Sequence, residues 1–188
     1  MNLNLALWYL GRGTGVVTLC LFTATITLGI INRSGRTVPI VGRFGITDLH
    51  RSVSLTGAGL LVIHVGTLLL DPYAQLRLVD LVVPFLGTYR PLWLAMGTLA
   101  LDVLVVLVAS SLLRTRIGPV AFRALHWTAY AMWPLAMAHV LGMGTDMRTL
   151  WLPLVAAACT VTVLAAVCWR LTDGYAERGL VRLPRRTS

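Results

Sequence analysis

The sequence predicts an all-α membrane protein, a bundle of about five transmembrane helices. Three observations predict it. The chain of 188 residues is 57% hydrophobic and 12% charged, roughly half the charged fraction of a soluble domain, and its mean hydropathy is +0.79. Five apolar runs divide it, at residues 14–31, 50–70, 92–113, 120–141 and 150–170, each close to the roughly 20 residues that span a bilayer core. All four histidines lie in two of those runs, His50 and His64 in one, His126 and His139 in the other. The length suits a single bundle, one membrane domain over residues 1–188.

The first run, "TGVVTLCLFTATITLGII", has a weak basic flank before it and no small-residue cleavage pattern after it, so it is expected to span rather than to be removed. The second run carries the first histidine pair. The third contains Asp102, in "LALDVLVVL". A charged carboxylate there is costly, so Asp102 is expected to be protonated or hydrogen-bonded within the bundle. It then bonds a neighbouring helix, relays a proton, or orients a histidine. The fourth run carries the second histidine pair with Pro134 between its members. The fifth leads into a basic tail, residues 172–188. Cys20, Cys159 and Cys168 fall in apolar runs without a CxxC spacing and read as small buried residues.

All sixteen basic residues are arginine, and the formal net charge is +9. Such a charge invites a nucleic-acid reading, but these arginines sit in short loops between apolar runs, where they set topology. Arg33, Arg36, Arg43 and Arg51 follow the first run, Arg114, Arg116 and Arg123 follow the third, and Arg170, Arg178, Arg182, Arg185 and Arg186 follow the fifth. Arg12, Arg77, Arg90 and Arg148 occupy the opposite side. Twelve against four places the first group in the cytoplasm, with the N-terminus outside and the C-terminus inside. The expected location is the plasma (inner) membrane, crossed several times. Partners are membrane lipid and other proteins rather than nucleic acid.

In this topology the two histidine-bearing helices run the same way. His50 and His126 lie near the cytoplasmic end, His64 and His139 toward the outer end. Two levels result, each with one histidine from each helix. Ionisable groups inside a bilayer are functional candidates by default, and each pair is able to clamp a flat apolar ligand. Haem suits this, because imidazole is a standard axial ligand and bundle interiors are usual cofactor sites. Zinc suits it less, since it seeks four ligands and each level offers two. Spacings of fourteen and thirteen residues put the levels roughly 20 Å apart. Fourteen residues return to within roughly 40° of the starting face, whereas thirteen leave His126 and His139 roughly 140° apart on an ideal helix. Pro134 offers a bend between them.

The four-histidine layout, with "RALHWTAYAMWPLAMAH" on the second helix, resembles the transmembrane domain of the ferric reductase and NADPH oxidase superfamily. It is similar also to bacterial ferric-reductase-like proteins, including the haem-binding subunit of a periplasmic methionine sulfoxide reductase system. The likeness covers residues 49–146 well and the flanking helices by hydropathy alone. It implies a haem-binding bundle with two b-type haems, His50 pairing with His126 on the cytoplasmic haem and His64 with His139 on the outer one. Many relatives have six helices where five are counted here. The superfamily's oxidases continue into flavin and nicotinamide domains, whereas this chain stops seventeen residues after Leu171 with no Gly-rich nucleotide fingerprint. The expected donor is therefore a separate cytoplasmic flavoprotein, a small reductant or a quinol, and the acceptor is extracytoplasmic.

Further residues carry two readings each. Arg51 and Arg123 either hold haem propionates or simply set topology. Arg43, Arg114 and Arg116 either dock an acidic flavoprotein or meet anionic lipid headgroups. Trp133, about midway between His126 and His139, either aids electron tunnelling or packs the core. Asp71, Tyr73, Asp80, Arg90, Asp146 and Arg148 would frame an outer acceptor. The leading expectation is the haem-bearing membrane subunit of a reductase. The alternatives are a quinol-linked di-haem cytochrome b and a non-redox transporter with a His/Asp proton relay.

Overall fold

A computed structural model describes residues 3–34, 43–172 and 175. Among these the fold is six α-helices and two short 3₁₀ turns, with no strand. The helices are α1 (Leu3–Ser34), α2 (Arg43–Leu70), α3 (Pro91–Leu112), α4 (Arg114–Trp127), α5 (Ala129–Met143) and α6 (Trp151–Arg170). Four of them, α1, α2, α3 and α6, are long and apolar enough to cross a membrane. The protein is a helical, multi-pass membrane bundle. The basic residues Arg36, Arg178, Arg182, Arg185 and Arg186 lie outside the described residues, as does nearly all of the 172–188 tail.

The helices are longer than their most apolar stretches. α1 starts at Leu3 because "LNLALWYL" continues the apolar pattern ahead of residue 14. α2 starts at Arg43, so His50 sits two turns inside it rather than at its edge.

The fourth run is where five expected spans become four continuous helices. It is divided between α4 and α5. Gly118 adopts φ +76° within α4, a conformation natural to glycine alone, and Pro119 restarts the helix after it, where its missing N–H costs nothing. A second break falls at Thr128. Its N–H reaches only three residues back, to the Leu125 carbonyl at 3.0 Å, and its hydroxyl donates to that same carbonyl at 2.7 Å. Pro134 lies inside α5, where it cannot donate to the Tyr130 carbonyl and its ring crowds that group.

α1 is the centre of the bundle and touches α2, α5 and α6, while α3 packs chiefly on α5. Its buried stripe is Leu19, Phe22, Ile26 and Ile30, at the spacing of one helical face. Met132, Trp133 and Met137 of α5 and Cys159, Val163 and Ala166 of α6 complete this core. Small residues bring the backbones close: a Cβ added at Gly57 of α2 would lie 2.9 Å from Phe22 Cε1. Hydroxyls of Thr14, Thr23 and Thr27 donate to carbonyls four residues back, so these three are satisfied within their own helix. Val62, Leu70, Val105, Leu112, Leu154 and Val161 point outward. In water such a girdle would be a liability; against lipid tails it is at home.

One end of the bundle is closed by structured connections. Between α2 and α3, Arg77 grips Asp80 at 2.8 Å and donates to the Leu86 carbonyl at 2.9 Å. The Thr98 hydroxyl of α3 ties this loop down through the Asp80 carbonyl at 2.7 Å. Hydrogen bonding to Arg77 holds the Asp80 carboxyl below the usual carboxylate range. Between α5 and α6, Asp146 forms an ion pair with Arg12 of α1.

Candidate cofactor site

The helices pair as α1 with α2 and α3 with α5, and the histidines of α2, α4 and α5 come together between the pairs. His50 Nδ1 lies 3.0 Å from the Thr25 carbonyl of α1. His64 Nδ1 lies 2.7 Å from the Gly11 carbonyl of the same helix. His139 Nδ1 lies 2.9 Å from the Trp93 carbonyl of α3. A carbonyl can only accept, so Nδ1 is the protonated nitrogen in all three. In the neutral ring, Nε2 then keeps its lone pair. Metal-ligating histidines are held in this manner, the second ring nitrogen donating to a backbone carbonyl.

His126 differs. It is exposed, hydrogen-bonds no described residue and stacks on Phe122 with centroids 5.3 Å apart. Yet it faces His50, ring centroids 6.5 Å apart and planes at 67°. Two imidazoles sharing one metal through nitrogen bonds of about 2 Å stand with centroids roughly 6 Å apart, which is close to what is seen. His64 and His139 line a common cavity of about 580 Å³, within the roughly 300–1,000 Å³ of small-ligand sites. His50 is thus associated with His126, and His64 with His139. The ideal-helix angle of roughly 140° does not apply directly, because the break at Thr128 places His126 and His139 on different helices.

Leu61, Leu101, Met132 and Ala136 give the cavity apolar walls, and Arg12, Tyr73, Gln75 and Asp146 stand at the loop end. Arg12 lies over the Trp8 ring at 3.9 Å. From sequence Arg12 is a topological charge alone; its place on the cavity follows from Gly11 beside it, where His64 docks. The loop residues expected to frame an acceptor are largely committed to structure. Asp71 is buried and accepts the Tyr73 N–H at 3.0 Å, Asp80 holds Arg77, and Arg90 donates to the Gly142 carbonyl.

Arg51 and Arg123 are exposed, near His50 and His126 in sequence, and neither bonds a described residue. Trp133 is 6% exposed and donates Nε1–H to Thr23 Oγ1 of α1 at 2.9 Å. Asp102 is half-buried and hydrogen-bonds no described residue. The three docked histidines are oriented by backbone carbonyls instead.

Among the described residues no three His, Cys, Asp or Glu side chains gather as a metal cluster. One facing pair of imidazoles, and a second pair lining one cavity, suit a metal complex that needs only two ligands from the protein, and haem is such a complex. The residues present fit that group. Compared with protein-family models, curated proteins and solved structures, the chain matches none.

Proposed function

We propose that this chain is a di-haem membrane cytochrome b, with one b-type haem between His50 and His126 and a second between His64 and His139. The observation that carries the reading is the facing of His50 and His126 at 6.5 Å, repeated at a second level by the two histidines that line one cavity. Bound in these places, haem supplies one-electron exchange at two depths of the membrane. The chain's own residues do the rest. The carbonyls of Gly11, Thr25 and Trp93 orient three imidazoles and strengthen them as donors. The apolar walls exclude water, and Trp133 braces α5 on α1 between the levels. Arg51 and Arg123 are the cations available to propionates at the His50 level.

The likeness of the histidine layout to the ferric reductase and NADPH oxidase superfamily supports the same reading. In this proposal the arginine-rich loops face the cytoplasm of a plasma (inner) membrane. A separate flavoprotein or other donor delivers electrons there, and an extracytoplasmic acceptor takes them up. Arg114 and Arg116, both exposed, belong to the donor-facing side. The proton-relay alternative is less well supported, since Asp102 hydrogen-bonds none of the histidines.

A reduced-minus-oxidised spectrum of the purified chain tests the proposal. A red preparation with the sharp bands of low-spin b-type haem is expected. A preparation that stays colourless after incubation with haem would overturn the cytochrome reading in favour of a transporter.

A further inference from the structure

α1 carries Gly15 and Gly29, fourteen residues apart. That is also the separation of His50 and His64 on its neighbour α2. A Cβ built on Gly15 would stand 2.8 Å from His64 Cε1 and 2.9 Å from His64 Nδ1. One built on Gly29 would stand 3.3 Å from His50 Cε1. On α3, one built on Gly97 would stand 2.5 Å from His139 Nδ1.

In each case the carbonyl that accepts the imidazole N–H lies four residues before the glycine: Gly11, Thr25 and Trp93. Side chains in an α-helix lean back toward the N-terminus, so residue i+4 overhangs carbonyl i. Glycine removes the overhang and lets a ring approach the backbone. Three such notches receive three histidines.

The corresponding fourth place is fourteen residues beyond Gly97, at Ser111, with its carbonyl at Leu107. That carbonyl is already taken by the hydroxyls of Ser110 at 2.9 Å and Ser111 at 2.8 Å. The remaining histidine, His126, is exposed on the short helix α4, beside the break at Thr128, and docks on no described carbonyl.

We infer that Gly15, Gly29 and Gly97 are positioning residues that hold His64, His50 and His139 as ligands, and that His126 is the exchangeable member of the set. This rests on the proposed function. The His64/His139 level is rigid from both sides. The His50/His126 level is rigid from one side only and accepts a small external ligand in place of His126.

The test uses the full chain loaded with haem, as wild type and as Gly15→Ala, Gly97→Ala, Gly29→Ala and Gly13→Ala. Nothing lies within 4 Å of a Cβ at Gly13, so that variant is the control, and alanine favours a helix over glycine at every one of these places. Gly15→Ala and Gly97→Ala are expected to weaken retention of one and the same haem by roughly ten- to a hundredfold. Haem that remains at that level should show a raised midpoint potential, because the imidazole has lost its N–H partner. Gly29→Ala is expected to act on the other haem and Gly13→Ala on neither, with helical circular dichroism unchanged throughout.

Cyanide added to the oxidised wild type needs no variant. It is expected to shift half of the haem, the half perturbed by Gly29→Ala. Wild-type haem retention and potentials in all four variants would overturn the positioning roles. Cyanide binding to both haems alike, or to neither, would overturn the exchangeable role of His126. A wild type that takes up no haem removes the proposed function and this inference together.

Discussion

Trp133 and Thr23 form a hydrogen bond across two helices in the middle of the core. Such bonds in membranes are worth about 0.6 kcal/mol on average, but a buried donor left without an acceptor costs about 1–3 kcal/mol. Thr23→Val is therefore expected to destabilise the bundle by about 1 kcal/mol, seen as a lower thermal midpoint in detergent, while both haem signals persist. Loss of a haem signal in that variant would make the pair part of the site rather than a brace. For Arg51 and Arg123, replacement by Gln removes a positive charge near the His50 level. If they hold propionates, the potential of that haem falls while membrane topology stays intact; an unchanged potential would leave them as topological charges. At this scale the four histidines were legible, because an imidazole in an apolar run is conspicuous. Their hydrogen-bond partners were not, because every residue has a carbonyl and only packing decides which is reached. Gly15 and Gly29 did leave a trace, since their spacing equals that of His50 and His64, but it is readable only once α1 and α2 are known to pair.

At the scale of elements, hydropathy located the apolar runs, yet it did not foresee the division of residues 120–141. Run length and hydropathy do not register a carbonyl shared by Thr128's N–H and hydroxyl. Pro134 was visible as a bend, and the break lies six residues before it. Pro134→Ala restores a donor to the Tyr130 carbonyl and favours a straighter α4–α5. It is expected to turn His126 away from His50, altering one haem spectrum and sparing the other; an unchanged spectrum would show that Thr128 alone sets the break. The α2–α3 loop has a pH dependence of definite sign. The Asp80 carboxyl is held below its ordinary value by Arg77, so its contribution is complete above about pH 4, the unfolded value, and fades as pH falls through the lower folded value. Hydrogen exchange at residues 77–83, taken relative to the intrinsic rate at each pH, is expected to stay slow from pH 7 to about 5 and to quicken in more acid solution. Arg77→Gln should quicken it already at neutral pH. Equal exchange in that variant and the wild type would contradict the role of the pair.

For the molecule as a whole, a membrane bundle was legible from composition alone, since an outward apolar girdle and an internally bonded backbone are what hydrocarbon demands. The arginine count predicts that α2 and α4–α5 run the same way, and the association of His50 with His126 and of His64 with His139 is consistent with that. Orientation in the membrane is a separate matter, read from the arginines. A cysteine placed at Arg116 should resist a membrane-impermeant reagent in intact cells, and one placed at Arg148 should react. The reverse pattern would turn the proposed direction of electron flow around. The central claim is two haems held by two histidine pairs. It is tested most directly by haem quantified per chain in the wild type and the four single His→Ala variants. The account predicts two haems per wild-type chain, with His64→Ala and His139→Ala losing one and the same haem and His50→Ala and His126→Ala impairing the other. A single haem per saturated wild-type chain, or a shared loss in His50→Ala and His139→Ala, would contradict it.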